Sequence, residues 1–133
     1  MPLPQVGGGY QFTDGNLSEV ALGVQGTPGA TTATSVTLTA ADLTGGIYTS
    51  TNASAVAITL PTAALTDALL VNAKVNSSFE LVIINLGSAS GAVTMTAGTG
   101  WTLVGSATVA ISTSARFLAR KTGDAAYTLY RIA

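Results

Sequence analysis

Ser78-Phe79-Glu80-Leu81-Val82-Ile83-Ile84-Asn85-Leu86 is the stretch of this 133-residue chain that decides how the rest is read. Aliphatic, β-branched and aromatic side chains with no Gly or Pro among them fit a pleated surface better than a helix. In a strand, Phe79, Leu81 and Ile83 point to one side, and Glu80, Val82, Ile84 and Leu86 to the other. Both sets are apolar, so neither makes a solvent face, and the strand is expected to be covered on both sides. The single carboxylate, Glu80, needs a partner in such surroundings, and an Arg is the natural one.

Outward from this strand the chain repeats short apolar and hydroxyl-rich runs between turn signals. Strands are predicted at 35–41, 46–51, 54–60, 78–86, 91–97, 100–104, 107–112, 114–121 and 125–132. The breaks are Gly45-Gly46, Gly87 to Gly91, Gly98-Thr99-Gly100, Gly105 and Thr122-Gly123-Asp124. The spacing of about 8–12 residues belongs to a sandwich or barrel. One helix interrupts the pattern at about 62–71, with Thr62 as N-cap after Pro61, Leu65 and Leu69 on one face, and Asp67 on the other side. It is expected to plug one end of the sandwich. The predicted fold is all-β, a jelly-roll-like sandwich with this one short helix.

The first 30 residues differ from the rest. They hold 7 of the 15 Gly and 3 of the 4 Pro, which excludes a long helix. Tyr10, Phe12, Val20, Leu22 and Val24 nevertheless sit at even positions, a strand-like alternation broken at Asp14-Gly15-Asn16, with Leu17 outside it. Residues 1–30 are therefore read as an extended arm on a body of residues 31–133. Tyr10, Phe12, Leu17, Val20 and Leu22 are its candidate contacts with a neighbouring protein.

Composition narrows the function. Charged residues are 8% of the chain, against about 25% in an ordinary globular protein. The chain carries 21 Thr and 11 Ser instead. Five Lys and Arg against six Asp and Glu give no basic field for nucleic acid. Without Cys there is no disulfide or thiolate metal site, and without His the commonest general base and metal ligand are gone. Asp14-Gly15-Asn16 opens like a calcium loop, but Glu19 stands where that loop needs Gly. Scattered carboxylates and Lys outside any motif give no catalytic constellation. The reading is of a non-enzyme with no cofactor and no metal. No run of 18 apolar residues and no signal peptide is visible, so no membrane partner is expected.

The sparse charge is unevenly placed. Residues 1–73 carry a net −4 and residues 74–133 a net +3, so the halves are able to meet electrostatically. In 91–97 and 107–112, Val93, Met95, Val109 and Ile111 oppose faces of Ala, Thr and Ser without Lys or Glu. Monomeric sheets usually protect such faces with charge, so these are expected to meet other protein. Arg116 and Arg120 share one strand face with Leu118, and Tyr127 and Arg131 share another with Leu129. A hairpin about Gly123-Asp124 brings the two strands together. Glu80, Trp101, Arg116, Arg120, Tyr127 and Arg131 are thus the candidate subunit interface, where Tyr, Trp and Arg are enriched. Trp101 fits a core position or a sugar-stacking platform as well.

Three pieces carry a resemblance: Gly7-Gly8-Gly9-Tyr10-Gln11-Phe12-Thr13-Asp14-Gly15-Asn16 with Glu19-Val20 and Leu22-Gly23; Ile58-Thr59-Leu60-Pro61-Thr62-Ala63; and Ile83-Ile84-Asn85 through Ala125-Ala126-Tyr127-Thr128-Leu129-Tyr130-Arg131. In these the chain resembles small trimeric jelly-roll or sandwich proteins of tailed-bacteriophage virions, several of which are capsid decoration, or cement, proteins. The resemblance implies a structural homotrimer, assembled in the host cytoplasm, on the outer surface of the head. Its partners would be the major capsid protein and itself. It carries no catalytic residues across. The alternative is a tail-fibre or spike head domain binding host glycan, with Trp101, Tyr48 and Tyr130 as the available aromatics.

Overall fold

The quoted stretch forms β5 (Ser78–Asn85), one of the two central strands of a six-stranded sheet, in a computed structural model that describes residues 23–133. The sheet order is β1 (Gly29–Thr31), β3 (Ile47–Ser50), β5, β9 (Thr113–Gly123), β10 (Ala126–Arg131) and β7 (Trp101–Val104). A second sheet orders β2 (Ser35–Thr37), β4 (Val56–Thr59), β6 (Val93–Thr96) and β8 (Thr108–Val109). The architecture is an all-β sandwich, and each of the nine predicted strand segments overlaps one of its strands. β1 was not anticipated, and it spans the composition break at residues 30 and 31.

The strands alternate between the sheets: β1, β3, β5 and β7 lie in the larger, β2, β4, β6 and β8 in the smaller. Within β1–β3–β5 and β2–β4–β6, strands two apart in sequence therefore become neighbours running the same way. Five of the eight pairings among the described residues are parallel, including β1–β3–β5 and β2–β4–β6. Antiparallel pairing enters through β5–β9, with Ser78 opposite Arg120 and Asn85 opposite Thr113, through the β9–β10 hairpin, and through β6–β8 in the smaller sheet. That hairpin turns through Asp124 and Ala125, the latter at a φ of 48°. The core between the sheets is set by strand parity. Leu81, Ile83, Ala115, Phe117, Ala119, Tyr127 and Leu129 enter it from the larger sheet, and Val56, Ile58, Val93, Met95 and Val109 from the smaller.

Two helices carry the chain from the smaller sheet to the larger. The first, α1 (Ala40–Thr44), begins at Ala40 and Ala41, residues read as the end of a strand. The Thr39 hydroxyl accepts from the Asp42 N–H at 3.1 Å, and the Asp42 carboxylate accepts from the Thr39 N–H, also at 3.1 Å. This capping box ends β2 and starts a helix whose Leu43 is fully buried.

The second, α2 (Ala63–Leu69), is the anticipated helix. The Thr62 hydroxyl caps it by accepting from Leu65 N–H at 3.3 Å. Its orientation corrects the expectation. Ala63 and Thr66 are buried, whereas Leu65 and Leu69 are 59% and 48% exposed. Asp67 faces the body, because three donors there bind its carboxylate. The polar contact sets the helix rotation against its apolar stripe.

Gly100 leads into β7 at a φ of +87°, with the Ala125 carbonyl against the position a Cβ would take. A side chain there meets both backbone strain and a clash. Among the described residues no helix is long and apolar enough to cross a membrane.

Candidate protein-contact face

The outward side of β5 and β9 is assembled by register. Val82 lies opposite Arg116, Glu80 opposite Leu118, and Ser78 opposite Arg120. β10 extends two of these rows, with Tyr130 beside Leu118 and Thr128 beside Arg120, and β7 adds Val104 beside Tyr130. On the other flank Ile47 and Thr49 of β3 lie beside Val82 and Ile84. An apolar band thus crosses the outer face of the larger sheet.

Its charged groups are few and held in place. Arg116 Nη2 donates to Glu80 Oε2 at 2.6 Å, the partner anticipated for this carboxylate. The side chains are 54% and 43% exposed, so the pair contributes at most about 1 kcal/mol and acts mainly to fix two side chains. Arg120 donates to Asn76 Oδ1 at 2.8 Å and to the Tyr130 hydroxyl at 3.1 Å, with its guanidinium 5.9 Å from the Tyr130 ring centre. Three of the six predicted interface residues, Glu80, Arg116 and Arg120, therefore share one outer face.

The other three do not. Trp101 and Tyr127 lie inside the chain's own core, stacked with ring centres 5.0 Å apart. Both follow the inward parity of their strands and face each other across the β7–β10 pair. Trp101 is therefore no surface platform for a sugar. Its Nε1 is buried with no hydrogen-bond partner among the described residues. Trp101→Phe removes that unsatisfied donor along with some packing, and unfolding in urea is expected to shift by no more than about 1 kcal/mol. Arg131 turns toward the smaller sheet, donating to the Thr108 carbonyl and, at 3.1 Å, to the Ala133 carbonyl, over the Phe117 ring. It ties the sheets together rather than joining the outer face.

Leu118 and Val104 were not among the interface candidates, although parity with Arg116 and Arg120 marks Leu118, and Tyr130 was named only as an aromatic for the glycan-binding alternative. The two-sided apolar pattern of 78–86 did signal Val82 and Ile84. The arm candidates Tyr10, Phe12, Leu17, Val20 and Leu22 lie outside the described residues.

The smaller sheet has a different outer face. Register aligns Ser35, Ala57, Thr94 and Thr108 in one row and Thr37, Thr59 and Thr96 in the next. Val93, Met95 and Val109 point inward as expected. Ile111 does not: β8 ends at Val109, and Ile111 lies in the following turn, 36% exposed.

Two polar clusters were missed. Asp67 Oδ1 accepts from Lys121 Nζ at 2.7 Å and from the Tyr127 hydroxyl at 2.5 Å, while Oδ2 accepts from Ala125 N–H at 2.7 Å. The Lys121 contact first, then the Tyr127 and Ala125 donors, hold the Asp67 carboxyl down to about 2. Burial, and then the carboxylate beside it, push the Tyr127 hydroxyl above its ordinary value. The carboxylate stays ionised and the phenol protonated at neutral pH, so the cluster is a clamp rather than a poised acid–base pair. It also realises the charge asymmetry, because an acid of the first half meets a base of the second.

Asn85, 1% exposed, is the other. Its Nδ2 donates toward the carbonyls of Gly91, Val109 and Ala110 at 2.9, 3.0 and 3.2 Å, and its Oδ1 accepts from Gly87 N–H at 2.8 Å. One amide thereby joins the β5–β6 connection to the segment after β8. The Asn52 carbonyl lies against Gly91 where a Cβ would stand, which keeps this connection tight.

Comparison with protein-family models, with curated proteins and with solved structures finds no match to this chain.

Proposed function

We propose that this chain is a structural virion protein, a capsid decoration protein that binds the outside of a phage head as a homotrimer. The observation that carries the reading is the outer face of the larger sheet. An apolar band from Ile47 and Val82 through Leu118 and Tyr130 to Val104 runs across it, with only Glu80, Arg116 and Arg120 for charge. A face of this kind invites association unless another protein covers it. The sequence resemblance supplies the setting, in which the cover is a second copy and the anchor is the major capsid protein. The threonine-rich face of the smaller sheet, weakly charged and regular, is the second surface for protein contact.

Light scattering of the purified chain at micromolar concentration is expected to give the mass of a trimer. Leu118→Asp, at the centre of the band, is expected to weaken association at least about 30-fold, the scale of an interface hot spot. A clean monomer for the unmutated chain overturns the self-association. Electron microscopy of the native particle, with a density tag fused to the C-terminus, tests the location. Tag density over the head supports decoration, and density at the fibre tips overturns it.

A further inference from the structure

The reversed orientation of α2 leaves an apolar groove at the end of the sandwich where β5 begins. Leu69, Leu70 and Val71 form one wall, Phe79 the other, and Tyr127 the floor of a cavity of about 340 Å³. The Tyr127 hydroxyl is taken up by the Asp67 carboxylate at 2.5 Å, so what the floor offers is its ring. Sites for small ligands run from about 300 to 1,000 Å³ and are mostly apolar, with a few polar groups at fixed places. This groove lies at the lower end of that range, which suits one short chain rather than a lipid with two.

The charge around the groove is one-sided. Lys74 lies in the loop between two lining residues, Ala73 and Ser77. Its N–H donates to Ser77 Oγ at 2.9 Å, and Ser77 N–H donates back to the Lys74 carbonyl at 2.8 Å, which pins this backbone beside the groove. Arg120 lies across the ladder from Ser78, another lining residue, with its guanidinium held by Asn76 and Tyr130. Neither cation has a carboxylate partner among the described residues. The neighbouring acids do not offset them. Asp67 is bound by Lys121 and Glu80 by Arg116, and Asp124 in the hairpin turn does not line the cavity. An apolar slot with unbalanced positive charge at its rim matches a ligand with an apolar body and an anionic head.

We propose that this groove binds a single-chain amphiphilic anion of the class of medium-chain carboxylates, its alkyl chain between α2 and Phe79 and its carboxylate at the rim by Lys74. A neutral amphiphile gains the same burial without the charge contact, and a cationic one meets repulsion. The groove lies at the Ser78–Arg120 end of the sheet, beyond the apolar band through Val82 and Leu118, so the inference stands whatever covers that band.

Titration calorimetry of the full-length protein with sodium octanoate, at low ionic strength and below its micellar concentration, tests this. Saturable binding of one octanoate per chain is expected, at least about fivefold tighter than octanol or octyltrimethylammonium, the scale of one exposed charge contact. Lys74→Glu should weaken octanoate binding by at least about fivefold on the same scale. Val71 is 79% exposed, so Val71→Asp puts a carboxylate on the wall without disturbing the core. It should weaken binding at least about tenfold, through lost apolar contact and like charge together. Ser106→Asp, the same change of charge at an exposed residue past the far end of β7, should leave binding as it is. Octanol binding as tightly as octanoate overturns the inference. So does octanoate binding that does not saturate, or that Lys74→Glu and Val71→Asp leave unchanged.

Discussion

Asn85→Asp is expected to unfold this sandwich at neutral pH. The substitution keeps the shape of the side chain and reverses what it offers. Nδ2 now donates toward three carbonyls, those of Gly91, Val109 and Ala110. A carboxylate in its place turns an acceptor, and a charge, toward all three in a site 1% exposed. Unpaired buried polar groups cost about 1–3 kcal/mol each and charged ones more, so the loss should exceed about 5 kcal/mol. That is the whole stability of many domains of this size, which lies near 5–15 kcal/mol. Asn85→Ala removes the donors without adding charge and should cost about 3–4 kcal/mol. The pH dependence separates the two. The introduced carboxyl should titrate well above the ordinary range, so the Asn85→Asp chain should regain stability as pH falls from 8 to about 4, when it protonates and can donate again. Asn85→Ala should show no such recovery. Urea unfolding of both variants across that range tests the claim. A loss below about 2 kcal/mol for Asn85→Asp at neutral pH means that the amide does not hold the two segments together.

Asp67→Ala is expected to cost about 2–3 kcal/mol, less than the removal of one partner from a fully buried ion pair, because the Asp67 side chain is 22% exposed. It leaves Lys121, 8% exposed, with a charge and no counter-ion, and it frees the hydroxyl of Tyr127 and the N–H of Ala125. Lys121→Met in the same chain should restore much of the loss, since the stranded charge then disappears. The unmutated clamp has its own pH signature. The Asp67 carboxyl is lowered from 3.8 to about 2 on folding, so its stabilisation is fully present above pH 4 and disappears as pH falls toward 2. Thermal unfolding followed between pH 2 and 5 should show this slope, and Asp67→Ala should flatten it. An equal slope in both proteins would place the acid sensitivity elsewhere.

These two clusters mark where sequence reading stops. Asn85 looks like the polar end of an apolar strand, and nothing near it in sequence announces that its amide meets carbonyls 24 and 25 residues away. Asp67 looks like the solvated side of an amphipathic helix. Its partners Lys121 and Tyr127 lie 54 and 60 residues further on, so their pull on the helix has no local trace. The Thr39–Asp42 capping box, by contrast, was legible. Thr-Ala-Ala-Asp carries its own start signal, and the hydroxyl-rich run before it masked that signal as strand.

The strands themselves needed only the sequence. β-branched runs, period-two alternation and Gly or Asp-Gly punctuation are local properties, and they placed β2 through β10 and the inward side of β6. Low charge and two-sided apolar strands likewise pointed to a surface that meets protein. Pairing was decided only in three dimensions. Period-two alternation says which face a side chain takes, not which strand lies beside it, so it could not show a chain alternating between two sheets and pairing its odd and even strands in parallel. Nor could it separate Arg116 and Arg120, on the open face, from Arg131, which crosses to the other sheet, or from Trp101 and Tyr127, which stack inside. The physical reason is the same each time: strand order, helix rotation and buried polar contacts depend on free energies shared by residues far apart in the chain, and these exist only once the two sheets have packed.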